Sequence, residues 1–267
     1  MFLDSYVAKG LGEYLELMDP ITPIFHLVYL ILLNRLVLFG NEARGRFEWF
    51  VTLQYVIFLF LPFGYLWVQL GKLGPADFGR IVDRGIPFWL PGSAFSLSGL
   101  HFVLTLLLAF LWFSEAKAPQ NDFDFRKVRW WSYAVVPVVL WGFAYPFRQT
   151  GQTGETAFLG MAGLWNSPFG VLPNPTSTFF LGLLTLIYPR VNFKLFFGSA
   201  SVLLVISLIA TRVSPLDWPL VILAGFDLLL GAVHFGVRRF KSPAAKNPVV
   251  AVSPEAPSPV SPVSRGD

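Results

Sequence analysis

Seven apolar stretches lie between residues 21 and 240, and almost every charged residue falls between them. A bilayer core of about 30 Å needs roughly 20 helical residues per crossing. On that scale the pattern predicts spans at about 21–39, 49–70, 97–113, 130–147, 176–188, 193–210 and 216–240. The fifth is short unless 173–175 begin it at the membrane surface. Helices are the expected form, because open strands leave backbone groups unpaired in lipid. The fold class predicted is an all-α polytopic transmembrane bundle of about seven spans. The bundle occupies 1–241. Residues 242–267, rich in Pro, Ser, Val and Ala without periodicity, read as a disordered tail.

The charges between the spans give a direction. With the N-terminus outside, the inner segments hold thirteen Lys and Arg: Arg44, Arg46, Lys117, Arg126, Lys127, Arg129, Arg190, Lys194, Arg238, Arg239, Lys241, Lys246 and Arg265. The outer segments hold six: Lys9, Lys72, Arg80, Arg84, Arg148 and Arg212. Positive charge accumulates on the cytoplasmic side, so the expected orientation is N-out and C-in. A multi-pass protein of a bacterial inner membrane is the expected location. The acidic first twenty residues lack a basic start and an apolar core, so no cleaved signal peptide is expected. Outer loops 71–96 and 148–172 are apolar but broken by Gly and Pro. They are expected to pack on the bundle or re-enter the interface.

Composition agrees with the pattern. The 267 residues are 54% hydrophobic and 13% charged, with a mean hydropathy of +0.59. Soluble domains carry about 25% charged residues. The basic pI of 9.4 follows from the inner loops, so nucleic acid is not an expected partner. Cysteine is absent. This excludes disulfides, thiolate-held iron–sulfur or zinc sites, and thioether-linked haem. No cofactor is expected. The terminal Arg265, Gly266 and Asp267 match an adhesion tripeptide, but so short a match on a cytoplasmic tail carries no weight.

Residues 169–184 read FGVLPNPTSTFFLGLL. Taken alone, Pro175 in a first helical turn, with Thr176, Ser177 and Thr178 beside it, marks a helix start at the outer surface. The stretch also resembles a bacterial multi-span membrane family known only as a domain of unknown function. Its members carry a segment like F-G-x-P-C-P-T-T-x-F-T-x-G-L-L between a long outer loop and a span. Phe169, Gly170, Pro173, Pro175, Thr176, Phe179, Gly182, Leu183 and Leu184 match, with one extra residue before Pro173. Asn174 stands at the family's Cys, and Ser177 and Phe180 replace Thr. Upstream Tyr145 and Pro146, and downstream Asp217, Ala224 and Gly225, look similar to its flanks. The resemblance covers about 130–231. It implies a multi-span architecture and no reaction.

Ionisable groups within spans are expensive and therefore candidates for function. Asp227 lies about 15 Å into the seventh span and Arg35 about 21 Å into the first, beside Asn34. Gln54 lies about 8 Å above the inner end of the second. Together Asn34, Arg35, Gln54 and Asp227 form a candidate polar layer in the inner half, with Arg35 and Asp227 paired on a solute or ion path. Against this, Arg35 can snorkel to headgroups, and Asp227 can be hydrogen-bonded to a neighbouring helix. His26 and His101 sit near the outer ends of their spans and His234 near an inner end, so three-ligand metal binding is not expected. No phosphate loop, nucleophile elbow or paired carboxylates are evident, and Glu155 and Asp217 read as solvated loop acids. The seventh span lacks a Schiff-base lysine for retinal. The expected function is binding or transport of a small solute or ion. The alternative is a structural or partner-binding membrane subunit, with an enzyme third. Expected partners are the lipid bilayer, a small solute or ion, and a membrane protein.

Overall fold

A computed structural model describes residues 15–71, 94–145, 147–149, 156–158, 165, 167–211 and 215–241; side chains of 61–71, 94–99, 147–149, 156–158, 215 and 237–241 are excluded. The tail at 242–267, with Arg265 to Asp267, lies outside these residues. So do Glu155 and most of the two outer loops.

The described chain is predominantly α-helical. Its helices are α1 (Thr22–Phe39), α2 (Asn41–Gly71), α3 (Ala94–Lys117), α4 (Val136–Phe143), α5 (Pro173–Ile187), α6 (Phe193–Ala210) and α7 (Trp218–Lys241). A 3-10 segment, Trp130–Val135, leads into α4. A two-stranded antiparallel ladder joins β1 (Phe147–Gln149) to β2 (Thr156–Phe158), with Phe147 opposite Phe158. This ladder was not expected from the sequence. By length and composition four stretches can cross a membrane: Thr22–Phe39, Leu100–Lys117, Phe193–Ala210 and Trp218–Gly236. They mark the chain as a helical membrane protein.

Local chemistry sets the helix ends. Gly40 alone joins α1 to α2; it takes φ 51° and its N–H closes on the Leu36 carbonyl. α4 carries Pro at its first turn, where a missing N–H is harmless. α5 stops at Tyr188, extended at ψ 138°, because the residue before Pro189 avoids the helical region. Asn192 caps α6 by accepting the Lys194 N–H at 3.0 Å.

α5 is the centre of the bundle. Every residue from Pro175 to Ile187 is buried. A helix that is apolar all round belongs inside, and this one is about 22 Å long at 1.5 Å per residue. α4 lies against it at backbone contact. A Cβ on Gly142 would sit 2.7 Å from the Pro175 carbonyl oxygen, and one on Gly182 would sit 2.4 Å from Val139 Cγ2. The other extensive contacts are α2 with α3 and α6 with α7. Aromatic rings fill the space around α5. Phe180 touches Tyr29, Phe47, Tyr55 and Trp112, and Phe179 touches Phe169 and Phe143.

Large apolar side chains face outward instead on α1 (Ile24, Leu27, Ile31), α3 (Val103, Leu106, Phe110) and α7 (Ile222, Leu229, Val233). Soluble proteins rarely expose so many in bands, whereas lipid accommodates them. Exposed Trp49 and Trp130 lie toward one end of the bundle and Trp165 and Trp218 toward the other. That is where interfacial tryptophans belong.

Candidate functional site

The buried polar groups fall into separate clusters, and the ends of the bundle carry two of them. At one end α1 begins, α4 finishes, and α5 and α7 begin. Here Asp217, in a 3-10 turn before α7, is 6% exposed. Its carboxylate accepts the Tyr145 hydroxyl at 3.2 Å and the Asn174 amide at 3.0 Å. Burial raises its pKa to about 6, and those two hydrogen bonds hold it from rising further. The expectation of a solvated loop acid is therefore corrected: closure of α7 onto α4 and α5 removes Asp217 from water. Tyr145, Asn174 and Asp217 come from three distant parts of the chain.

Just inside this end the approach to α5 is held rigidly. Gly170 takes φ 79°, and a Cβ there would meet Phe25 Cβ at 2.5 Å. Its N–H donates to Thr176 Oγ1 at 2.8 Å, and the Thr176 hydroxyl donates to the Leu172 carbonyl at 2.7 Å. Its carbonyl accepts the Gln54 amide at 2.8 Å, while Gln54 Oε1 accepts the Tyr29 hydroxyl at 2.9 Å. Tyr55 and Ser177 hydroxyls pair at 3.0 Å. His26 is buried, with Nδ1 at 3.0 Å from the Thr22 carbonyl oxygen and Nε2 at 3.1 Å from Ser167 Oγ. The residues of 169–182 thus have structural tasks here. Phe169 and Phe179 are ring contacts, and Pro173 and Pro175 start α5. Gly170 and Thr176 shape its entry, and Gly182 admits α4.

In the middle, Asp227 is fully buried on α7 and both of its oxygens lie 2.8–2.9 Å from Thr185 Oγ1. Thr185 is also 2.8 Å from the Leu181 carbonyl.

The four residues expected in one layer do not form one. Asn34 and Arg35 lie on the exposed surface of α1. Gln54 engages Tyr29 and Gly170, and Asp227 engages Thr185. No ion pair joins Arg35 to Asp227 among the described residues. Gln54 differs from the expected depth because α2 begins at Asn41, eight residues before the apolar run. Measured from there, Gln54 is about 20 Å up its helix, level with the approach to α5.

At the opposite end the α1–α2 junction, the end of α3, segment 118–129 and the α5–α6 turn meet in a dense polar knot. Asn41 donates to Asp122 at 2.9 Å and accepts the Phe123 N–H at 3.0 Å. Arg190 pairs with Asp122 at 3.0 Å and donates to the Asp124 carbonyl at 2.8 Å. Burial pushes the Asp122 carboxyl up, but the Asn41 and Arg190 bonds outweigh it and hold it below the usual range. Behind this lies a buried pair of glutamates. Glu115 accepts N–H groups from Gln120, Asn121 and Asn192. Glu48 accepts only the Asn121 amide, at 3.1 Å. This pairing of carboxylates is invisible along the chain, because Glu48 and Glu115 are 67 residues apart and each sits where a charged loop is expected. The only trace is the polar density of 120–124 and 188–192.

Among the described residues no group of three His, Cys, Asp or Glu is placed to hold a metal. Two shallow concavities open on the surface among the described residues. One is lined by Glu42, Arg46, Trp49 and Leu53, the other by Gln120, Asp122, Arg190 and Asn192. Neither reaches Gln54 or Asp227. No protein-family model matches the chain, and neither the curated proteins nor the solved structures contain a significant match.

Proposed function

We propose that this is a multi-pass membrane protein of about seven crossings that acts as a structural or partner-binding subunit without a transport path. One observation carries this. Among the described residues the buried polar groups expected on a path are engaged by protein neighbours instead, with Gln54 held by Tyr29 and Gly170 and Asp227 by Thr185. A carrier or channel needs polar groups turned toward a water-filled route. The seven helices alternate in direction between the Asp217 end and the Asp122 end, which supports seven crossings. Arg44, Arg46, Arg126, Lys127 and Arg190 gather at the Asp122 end, which supports its placement on the cytoplasmic side. On α7 the open Gly225 and Gly236, where a Cβ would meet nothing within 4 Å, are suited to close approach by a partner helix. The likeness of 169–184 to the uncharacterised bacterial family supports a bacterial inner-membrane location and adds no activity.

The test is reconstitution. Purified protein in sealed liposomes is expected to pass protons, alkali cations and small organic solutes no faster than protein-free vesicles. Flux above that background that Asp227→Asn abolishes would overturn this function and restore a path through Asp227.

A further inference from the structure

The two glutamates at the Asp122 end have unequal surroundings. Glu115 is 1% exposed and receives three N–H donors. Glu48 is 0% exposed and receives one donor on Oε1; its Oε2 is buried without any donor. Asn121 bridges the two carboxyls, its side-chain amide donating to Glu48 and its backbone N–H to Glu115. Two ionised carboxylates cannot share such a place, whereas an acid and a carboxylate can, with one O–H donated across the gap.

We propose that Glu48 and Glu115 form a proton-binding site, in which one proton held on Glu48 and donated to Glu115 ties α2 to α3 at the Asp122 end. The site reaches further than two helices. Asn121 donates its side chain to Glu48 and its backbone to Glu115, and its Oδ1 accepts the Asn192 N–H at 2.8 Å. Asn192, which caps α6, donates its side chain to Glu115. One proton therefore holds together α2, α3, segment 118–129 and the start of α6. Its route to water is short. Gln120 and Asn192 both bond Glu115 and both line the open concavity at this end.

The charged groups around the site leave Glu48 poorly compensated. On α2, Arg44 lies one turn earlier; it donates to the Asn121 carbonyl, and its buried Nε has no partner. On segment 118–129, Asp122 is paired with Arg190 of the α5–α6 turn, so neither is free to answer Glu48. On α3 the facing charge is Glu115 itself. Burial is the main cause raising the Glu48 pKa, to about 8; Glu115 adds to the rise, and Asn121 and Arg44 oppose it.

The experiment is isotope-edited infrared and carbon NMR of the full chain in lipid, with glutamate labelled at its side-chain carboxyl. The label separates the site from Asp217 and Asp227. The expected result is a protonated glutamate signal at pH 6 that titrates away near pH 8. It is missing in Glu48→Gln, and in Glu115→Gln it moves to lower pH. Should Glu48→Gln not fold, the wild-type titration alone decides. Glutamate signals that all titrate in the ordinary range near pH 4.5 would overturn the site, as would a signal near pH 8 that persists in Glu48→Gln.

Discussion

Close approach of α4 to α5 can be tested with two single-methyl substitutions. Gly142→Ala places a Cβ 2.7 Å from the Pro175 carbonyl oxygen and 2.8 Å from the Phe179 nitrogen. Both are backbone atoms of the central helix and cannot rotate away. Gly182→Ala places a Cβ 2.4 Å from Val139 Cγ2, a side-chain atom. Alanine recovers roughly 0.5–1 kcal/mol of helix propensity over glycine, but overpacking a filled core costs about 1–3 kcal/mol. Gly142→Ala is therefore expected to destabilise by about 2 kcal/mol, because α4 must be pushed bodily off α5. Gly182→Ala is expected to destabilise by about 1–2 kcal/mol, since buried, β-branched Val139 has little freedom to turn. Adding Val139→Ala removes the offending methyl and should restore much of the loss in Gly182→Ala and none in Gly142→Ala. Thermal unfolding in detergent, followed by tryptophan fluorescence, reads these as losses of about 2–4 °C per kcal/mol. If both alanines raise the midpoint, propensity alone is acting and the two helices are not in backbone contact.

Two further outcomes follow from the buried polar groups. Asp217 has a folded pKa raised from 3.8 to about 6. Its contribution is thus fully present below pH 4 and is lost as pH rises through 6, amounting to about 3 kcal/mol at about 1.36 kcal/mol per pH unit. Stability profiles of the wild type and Asp217→Asn should diverge in slope between pH 4 and 6; parallel profiles would remove the claim that Asp217 is desolvated. Gln54→Leu strands the Tyr29 hydroxyl and the Gly170 carbonyl, at about 1–3 kcal/mol each, and adding Tyr29→Phe should recover part of that. A Gln54→Leu protein as stable as the wild type would mean that this network holds nothing.

The helices were legible because lipid enforces long apolar runs. α1, α6 and α7 begin within two residues of the expected boundaries. α2 was cut short in the sequence because its first two turns carry Glu42, Arg44, Arg46 and Glu48, which read as a loop and are helix at the polar rim. The sequence also could not show that α5 is wrapped by its neighbours on all sides; an apolar segment facing lipid and one facing protein look alike. Pairing was the hidden part. Asn34, Arg35, Gln54 and Asp227 were chosen by depth along separate helices, and depth says nothing about which side of a helix a residue takes. Asn34 and Arg35 point outward, and the other two turn to different partners. Tyr145 is an ordinary aromatic in the sequence and Asp217 reads there as a loop acid, yet the fold brings them together with Asn174. Glu48 and Glu115 escaped notice because each is ordinary in its own segment and only the packing of α2 on α3 makes them a pair.

The most direct test of a closed interior is thiol accessibility, since the chain contains no cysteine of its own. Thr185→Cys puts a thiol beside Asp227 in the centre of the bundle, and Ala118→Cys puts one on the exposed surface at the Asp122 end. In oriented membranes a charged, membrane-impermeant maleimide should modify Ala118→Cys from the cytoplasmic side. It should leave Thr185→Cys untouched from either side until the protein is denatured. Modification of Thr185→Cys in the folded protein at a rate comparable to Ala118→Cys would show a water route to Asp227 and contradict the account.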